Sequence, residues 1–293
     1  MSDDIYETEE RSGPGWDVWL GDTCERIEEV EPDSVDLSIF SPPFASLYTY
    51  SPTLRDLGNS HSREEFLEHF GFVVDGLLRA TRPGRLACCH VQQLATTKAV
   101  HGEIALTDFR GQVITAFQRG GWIFHGEVTI DKDPQAQAIR TKAQALMFNT
   151  LKRDSSMTRP AMADYLLLLR APGENAVQIK AEVSNEEWIQ WARPVWYDIR
   201  ESATLNAAAA REDADERHIC PLQLPLIERC VRLWSNRGEL VFSPFAGIGS
   251  EGVESVKRDR RFLGIELKRS YFETACRNVE AASTQLSMDT AVA

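Results

Sequence analysis

The sequence predicts an α/β fold built on a doubly wound, mostly parallel sheet. Short apolar runs alternate with amphipathic helical stretches at both ends of the chain, and a glycine turn joins one such strand to a helix. A third observation bounds the size. At 293 residues, with 43% hydrophobic and 26% charged side chains, the chain is one large globular unit, or one such unit with a sizeable insert.

The elements follow in order. Residues 1–14 read as a disordered acidic tail running into "SGPG". "WDVWLGD" predicts a strand, "TCERIEEV" a helix opening near Thr23, and "SVDLSIF" a second strand. Pro42 and Pro43 cannot donate to a sheet ladder, so this strand stops at Phe40. "REEFLEHFGFVVDGLLRAT" places apolar residues at helical spacing and ends at "RPG". "RLACCHV" is a buried strand, "LTDFRGQVITAFQRGG" a helix and "WIFHGEVTI" a strand. Over residues 133–217 the alternation lapses. That stretch holds the strand candidate "MADYLLLLRA" and the tryptophan-rich "EEWIQWARPVWYDI", and it reads as an insert. From His218 the pattern returns: helix "PLIERCVRLWS", strand "GELVFSPF", glycine turn, helix "SEGVESVKRD", strand "RFLGIEL", helix "SYFETACRNVEAA". Residues 284–293 read as a loose tail. The last helix leaves the sheet one strand short, and "WDVWL" from the N-terminal part can supply it.

Charge and cysteines narrow the classes. The acidic start is not a signal peptide and no apolar run has the length of a membrane span, so a cytoplasmic protein is expected. The six cysteines form no CxxC pair, which predicts reduced, buried thiols; His218 and Cys220 lack the further ligands a zinc site needs, so no metal is expected. The net charge is −12, but residues 1–36 hold 13 acidic and 2 basic side chains, leaving −1 for the rest. Within 132–160, Lys132, Arg140, Lys142, Lys152, Arg153 and Arg159 face only Asp133 and Asp154. Such a strip suits a phosphate backbone, or is a solvated loop. Trp188, Trp191, Trp196 and Tyr197 either stack on bases or fill the core, and the apolar area each carries favours the core.

Two stretches carry chemistry. In "FSPFAGIGSEG", Gly247 and Gly249 let the backbone turn sharply beside a ligand, and Glu266, about 20 positions on, suits the paired hydroxyls of a ribose. Glu251 in the first helical turn would repel a pyrophosphate, and the third glycine of a dinucleotide fingerprint is missing. An adenosine ligand with a sulfonium, S-adenosyl-L-methionine, fits better. In "FSPPFASLYTY", two prolines and several aromatics follow a buried strand directly, making a rigid, carbonyl-rich corner.

Together these stretches resemble the β-class amino-methyltransferases of DNA. Ser41, Pro42, Pro43 and Phe44 match the catalytic motif (Asp/Asn/Ser)-Pro-Pro-(Tyr/Phe/Trp), and Phe245, Gly247 and Gly249 match Phe-x-Gly-x-Gly. The order of motifs, catalytic before cofactor-binding, is that of the β class. The resemblance covers residues 16–132 and 218–283. It implies a circularly permuted, seven-stranded Rossmann-like sheet, with catalytic and cofactor halves at 15–132 and 218–283 and a target-recognition insert at 133–217. It further implies methyl transfer from S-adenosyl-L-methionine to an exocyclic amine of a flipped base. Ser41 Oγ and the Pro42 carbonyl would accept the amine hydrogens and Phe44 would stack on the base. Asp22, Ser243, Phe245, Gly247, Gly249, Glu251 and Glu266 would hold the cofactor; Lys142, Lys152, Arg153 and Arg159 would touch DNA. Serine at the first motif position goes mainly with cytosine N4.

The implied partners are double-stranded DNA, a second copy of the chain and a cognate restriction enzyme, in a bacterial or phage-infected cytoplasm. Two positions depart from the family. Ser243 stands where an aspartate usually holds the cofactor's amino group, so either cofactor binding is looser or Glu251 takes over that role. Cys220 and Leu222 replace more polar residues. The alternatives are adenine N6 methylation, the same clamp acting on a glutamine side chain or RNA, and a DNA-binding homologue without activity.

Overall fold

The computed structural model describes residues 7–43, 63–96, 98, 102–141, 146, 159–206 and 221–292. In chain order the elements are β1 (Glu9–Gly13), β2 (Trp16–Leu20), α1 (Thr23–Arg26), β3 (Val35–Phe40), α2 (Arg63–Ala80) and β4 (Thr81–Gln92). The short β5 (Leu94–Ala95) and β6 (Leu106–Thr107) pair with each other, followed by α3 (Phe109–Arg119), β7 (Ile123–Ile130) and α4 (Pro134–Thr141). Then come β8 (Asp164–Arg170), α5 (Asn185–Trp191), β9 (Val195–Trp196), α6 (Leu224–Trp234), β10 (Leu240–Ser243), α7 (Ser250–Val256), β11 (Arg261–Glu266) and α8 (Arg269–Val292).

One nine-stranded sheet organises them in the order β1-β2-β11-β10-β3-β4-β8-β7-β9. The run from β2 to β4 is parallel. All six residues of β3 are buried, which is what a central strand covered on both faces requires. Its side chains divide between two cores, with an irregularity in pairing between Val35 and Leu37. Leu37 and Ile39 pack with Leu226, Ile227 and Cys230 of α6, whereas Val35 and Phe40 pack with Phe66, Phe70 and Val74 of α2. Helices therefore cover both faces, and the sheet is doubly wound as expected. β2 lies parallel to β11, with Trp16 opposite Phe262 and Leu20 opposite Glu266, so the N-terminal strand does complete the C-terminal half. No helix among the described residues is long and apolar enough to cross a membrane.

Three expectations are corrected. The segment read as an acidic tail contributes β1, antiparallel to β2. Its charges hid the strand because they have partners: Glu10 binds Arg26, Glu9 binds Arg269 at 2.7 Å, and Arg11 lies over the Phe272 ring at 5.1 Å. The stretch read as an insert is interrupted by β8, which lies antiparallel between β4 and β7, third from one edge of the sheet, Cys88 facing Leu168 and Val128 facing Leu166. "DYLLLLR" is apolar enough to be recognised as a strand, but its partners are distant in sequence and its direction is not written in its composition. The loose C-terminal tail is instead a continuation of α8, which runs to Val292. With β1 and β9 as edge additions, the other strands are the seven that the resemblance implied.

Candidate functional site

The parallel strands β2, β11, β10 and β3 all end on one edge of the sheet, where ligands of doubly wound folds bind. After β10 the chain turns through Gly247 (φ 53°) and Gly249 (φ 83°), both left-handed, and Gly249 opens α7. The two glycines serve different ends. A Cβ on Gly249 would sit 3.0 Å from the Ala275 backbone, so this residue lets α8 approach. A Cβ on Gly247 would meet nothing within 4 Å; this side of the turn is open for a ligand.

Glu266 is held over that turn. One carboxylate oxygen accepts the Gly247 N–H at 2.8 Å and the other the Lys268 N–H at 2.9 Å. The next strand end is laced to the same place. Asp22 caps α1 by accepting the Cys24 N–H at 2.9 Å, Gly21 N–H donates to the Glu266 carbonyl at 2.9 Å, and the Thr23 hydroxyl donates to the Pro244 carbonyl. Deeper in, Glu251 is 4% exposed. Burial, reinforced by the neighbouring charge of Glu266, pushes its carboxyl up to about 8. The hydroxyls of Ser243 and Ser250 are buried beside the same turn without a hydrogen-bond partner. Polar atoms and a carboxyl with no hydrogen-bonding or oppositely charged partner among the described residues, beside an open glycine, fit a cationic, hydroxyl-bearing cofactor.

Ser41 follows β3 on the same edge. Its hydroxyl donates to the His90 carbonyl at 3.1 Å, so its oxygen keeps lone pairs for an incoming N–H. Pro42 beside it is buried. Phe40, immediately before Ser41, and Phe245, in the glycine turn, approach with ring centroids 6.1 Å apart. The two motifs, far apart in sequence, thus meet at one edge of the sheet.

Several sequence-derived expectations fall elsewhere. Phe44, Lys142, Lys152, Arg153, His218 and Cys220 lie outside the described residues. Lys132 does not belong to a basic strip: it is buried and pairs with Asp164 at 2.6 Å. Arg159 is half-buried and donates to the Pro160 carbonyl at 3.2 Å, and burial lowers its pKa. Trp196 is core, as favoured, but Trp188 and Tyr197 are 57% and 71% exposed. Cys88 and Cys89 are buried and their thiols are raised far above the ordinary range, the opposite of an activated nucleophile. Sequence reasoning missed His90, Gln92 and Asp164, which gather beside Ser41. The available signal was a run of polar residues closing the apolar strand "LACCHVQQ".

Comparisons with known proteins give the family and the fold. The model of a DNA methylase family of the N6/N4 type matches residues 35–277. The type II methyltransferase M.BglI of Bacillus subtilis is 30% identical over 118 residues, which are 40% of this chain and 30% of that enzyme. The DNA adenine methyltransferase YhdJ of Escherichia coli K12 is 35% identical over 71 residues, 24% of either chain. The matched stretches span less than a third of these relatives' length. Among solved structures, TTHA0409 of Thermus thermophilus, a candidate DNA modification methylase in complex with S-adenosyl-L-methionine, superposes with a TM-score of 0.67. It is 21% identical, over 90% of this chain and 94% of that one. The cytosine-N4-specific PvuII DNA methyltransferase gives 0.64 at 15% identity, over 94% and 93% of the two chains. At these identities the likeness is one of fold.

Proposed function

Because the chain belongs to the N6/N4 DNA methylase family, we propose that it transfers a methyl group from S-adenosyl-L-methionine to the exocyclic amine of a flipped base in double-stranded DNA, with cytosine N4 as the favoured target. The observation that supports this most is the contact of Phe40 with Phe245, which joins the Ser-Pro-Pro corner to the glycine turn at one edge of the sheet.

Glu266 would accept the cofactor's ribose hydroxyls, Asp22 would border its adenine, and Gly247 would let it approach the backbone. Phe245 and Gly249 form the turn that shapes this seat. Glu251, with Ser243 beside it, would take the amino group. Bound there, the cofactor supplies an electrophilic methyl group on a sulfonium. An amine conjugated to a base ring is a weak nucleophile because its lone pair is delocalised. Ser41 Oγ, whose own hydrogen is committed to His90, and the Pro42 carbonyl would each accept one amine hydrogen and turn the lone pair out of the ring plane. Pro43 stiffens the corner and Phe44 would stack on the base. The target atom is inaccessible in a stacked duplex, so the base must be flipped out. Lys142, Lys152, Arg153 and Arg159 would hold phosphates; Lys152 and Arg153 changed together to Ala should flatten the salt dependence of DNA binding.

Serine at position 41 favours cytosine. A second reading, adenine N6, is favoured by one observation, the similarity to an adenine methyltransferase over 71 residues. Mass spectrometry of nucleosides from DNA of cells expressing the protein separates the two. N4-methylcytosine is expected; N6-methyladenine would select the second reading, and neither modified base would remove both.

A further inference from the structure

Beside Ser41, three neighbouring strand ends bring four polar side chains together. Asp164 opens β8, His90 and Gln92 close β4, and Lys132 follows β7. One oxygen of Asp164 accepts from Lys132 Nζ at 2.6 Å and faces His90 Nε2 at 3.1 Å; the other accepts from the Gln92 amide nitrogen at 2.8 Å. Asp164, Lys132 and His90 are 4%, 6% and 7% exposed. A buried ion pair of this kind rarely stabilises a fold more than apolar packing would, so its presence at the ligand-binding edge calls for a reason in the chemistry.

The donors supply that reason. A carboxylate only accepts, so the His90 nitrogen facing it carries a proton; in the neutral ring this leaves Nδ1, buried and without a partner among the described residues, as an acceptor. Gln92 turns its NH₂ toward Asp164, which leaves its amide oxygen facing away. The Lys132 ammonium is drawn onto Asp164, and the Ser41 hydrogen is drawn onto the His90 carbonyl. Asp164 thus engages one N–H each of Gln92, His90 and Lys132, and the Ser41 hydroxyl hydrogen is engaged by the His90 carbonyl.

We propose that Asp164 is a positioning residue that, by engaging a donor of each of Gln92, His90 and Lys132, turns acceptors of this wall toward the base, so that it selects an exocyclic amine over an exocyclic carbonyl. The wall takes cytosine or adenine by their amines and disfavours thymine, uracil and the carbonyl edge of guanine. This inference rests on the methylation reading above.

The test uses the full chain with Asp164→Asn, the charge-balanced pair Asp164→Asn with Lys132→Met, and Gln92→Leu, whose half-buried side chain can be lost without unfolding the protein. Each is assayed for DNA methylation, for cofactor affinity by calorimetry and for melting temperature. The expected result is turnover reduced at least tenfold in the variants that fold, Gln92→Leu included, with cofactor affinity within twofold of the parent. Turnover within threefold of the parent in a folded variant would overturn the proposal, since a network that only holds strands together would not separate turnover from cofactor binding. Nitrogen-15 NMR of His90 in the parent protein decides independently of activity. A neutral ring protonated at Nε2 supports the acceptor wall; a cationic ring or one protonated at Nδ1 overturns it. A parent that methylates no DNA defeats the functional reading, and the NMR result still stands for or against the wall.

Discussion

Glu251 and Asp164 are both 4% exposed, both lie along the edge of the sheet where the strands end, and burial works against the charge of each. Their states are nevertheless opposite. Glu251 faces Glu266 and is pushed up to about 8. Asp164 faces His90 and Lys132, and these hold its carboxyl below the usual range despite its burial. Burial alone therefore does not set the charge of this edge; the neighbours do. The difference matches the two proposed ligands. A cationic cofactor supplies the positive charge the first end lacks, while a neutral base meets a second end that is already balanced.

The comparison breaks most visibly in the unliganded protein. Unfolded, Glu251 loses its proton near 4.5; folded, it keeps it to about 8. Within that window the folded chain holds the extra proton, so stability is greatest below the lower value and falls as pH rises to the upper one, by on the order of 5 kcal/mol. Asp164 acts in the other direction, its contribution being lost only as acid protonates it below its ordinary value. Urea midpoints between pH 5 and 9 should therefore fall more steeply for the parent than for Glu251→Gln. Parallel curves would mean that Glu251 does not titrate there.

Next in size is Ser41→Ala. Removing one placed acceptor should lower turnover by about 10²–10³-fold while leaving the KM for cofactor within twofold. Steady-state kinetics check this, and an equal shift in both constants would deny that the two ends work separately.

Glu251→Gln tests the other end. Loss of a charged hydrogen-bond partner for the cofactor's amino group should weaken binding about 10–100-fold above pH 8. Parent affinity should climb toward pH 8, because Glu251 must release its proton to pair with the cation, whereas the variant should bind weakly without that rise. Calorimetry in two buffers of different ionisation enthalpy should show proton release by the parent at pH 7.

The cofactor end was the more legible in sequence. Its strand, glycine turn, helix and acidic strand end are consecutive, so local rules reach them, and Gly247, Gly249 and Glu266 come together as read. Ser41 was legible because proline ends a strand wherever it stands. The acceptor wall was not, because Asp164 is separated from His90 by 74 positions and meets it only through an antiparallel pairing that no local pattern encodes. β1 was hidden differently: its carboxylates look like those of a solvated tail until Arg26 and Arg269 are placed beside them.

A last comparison separates fold from site within the glycine turn itself. Gly249→Ala adds a methyl group 3.0 Å from the Ala275 backbone at φ 83°, so strain and overpacking together should cost about 2–4 kcal/mol. Gly247→Ala adds one into open space at φ 53°, a left-handed angle that other residues reach at a cost of about 1 kcal/mol. Thermal melts should rank the first variant well below the second. Cofactor binding should be weakened in Gly247→Ala even though it melts near the parent, because the new methyl group occupies the face that the ligand must approach. If Gly247→Ala binds as the parent does, the open side of the turn is not where the cofactor lies, and the pairing of a cation-seeking end with a balanced end loses its first member.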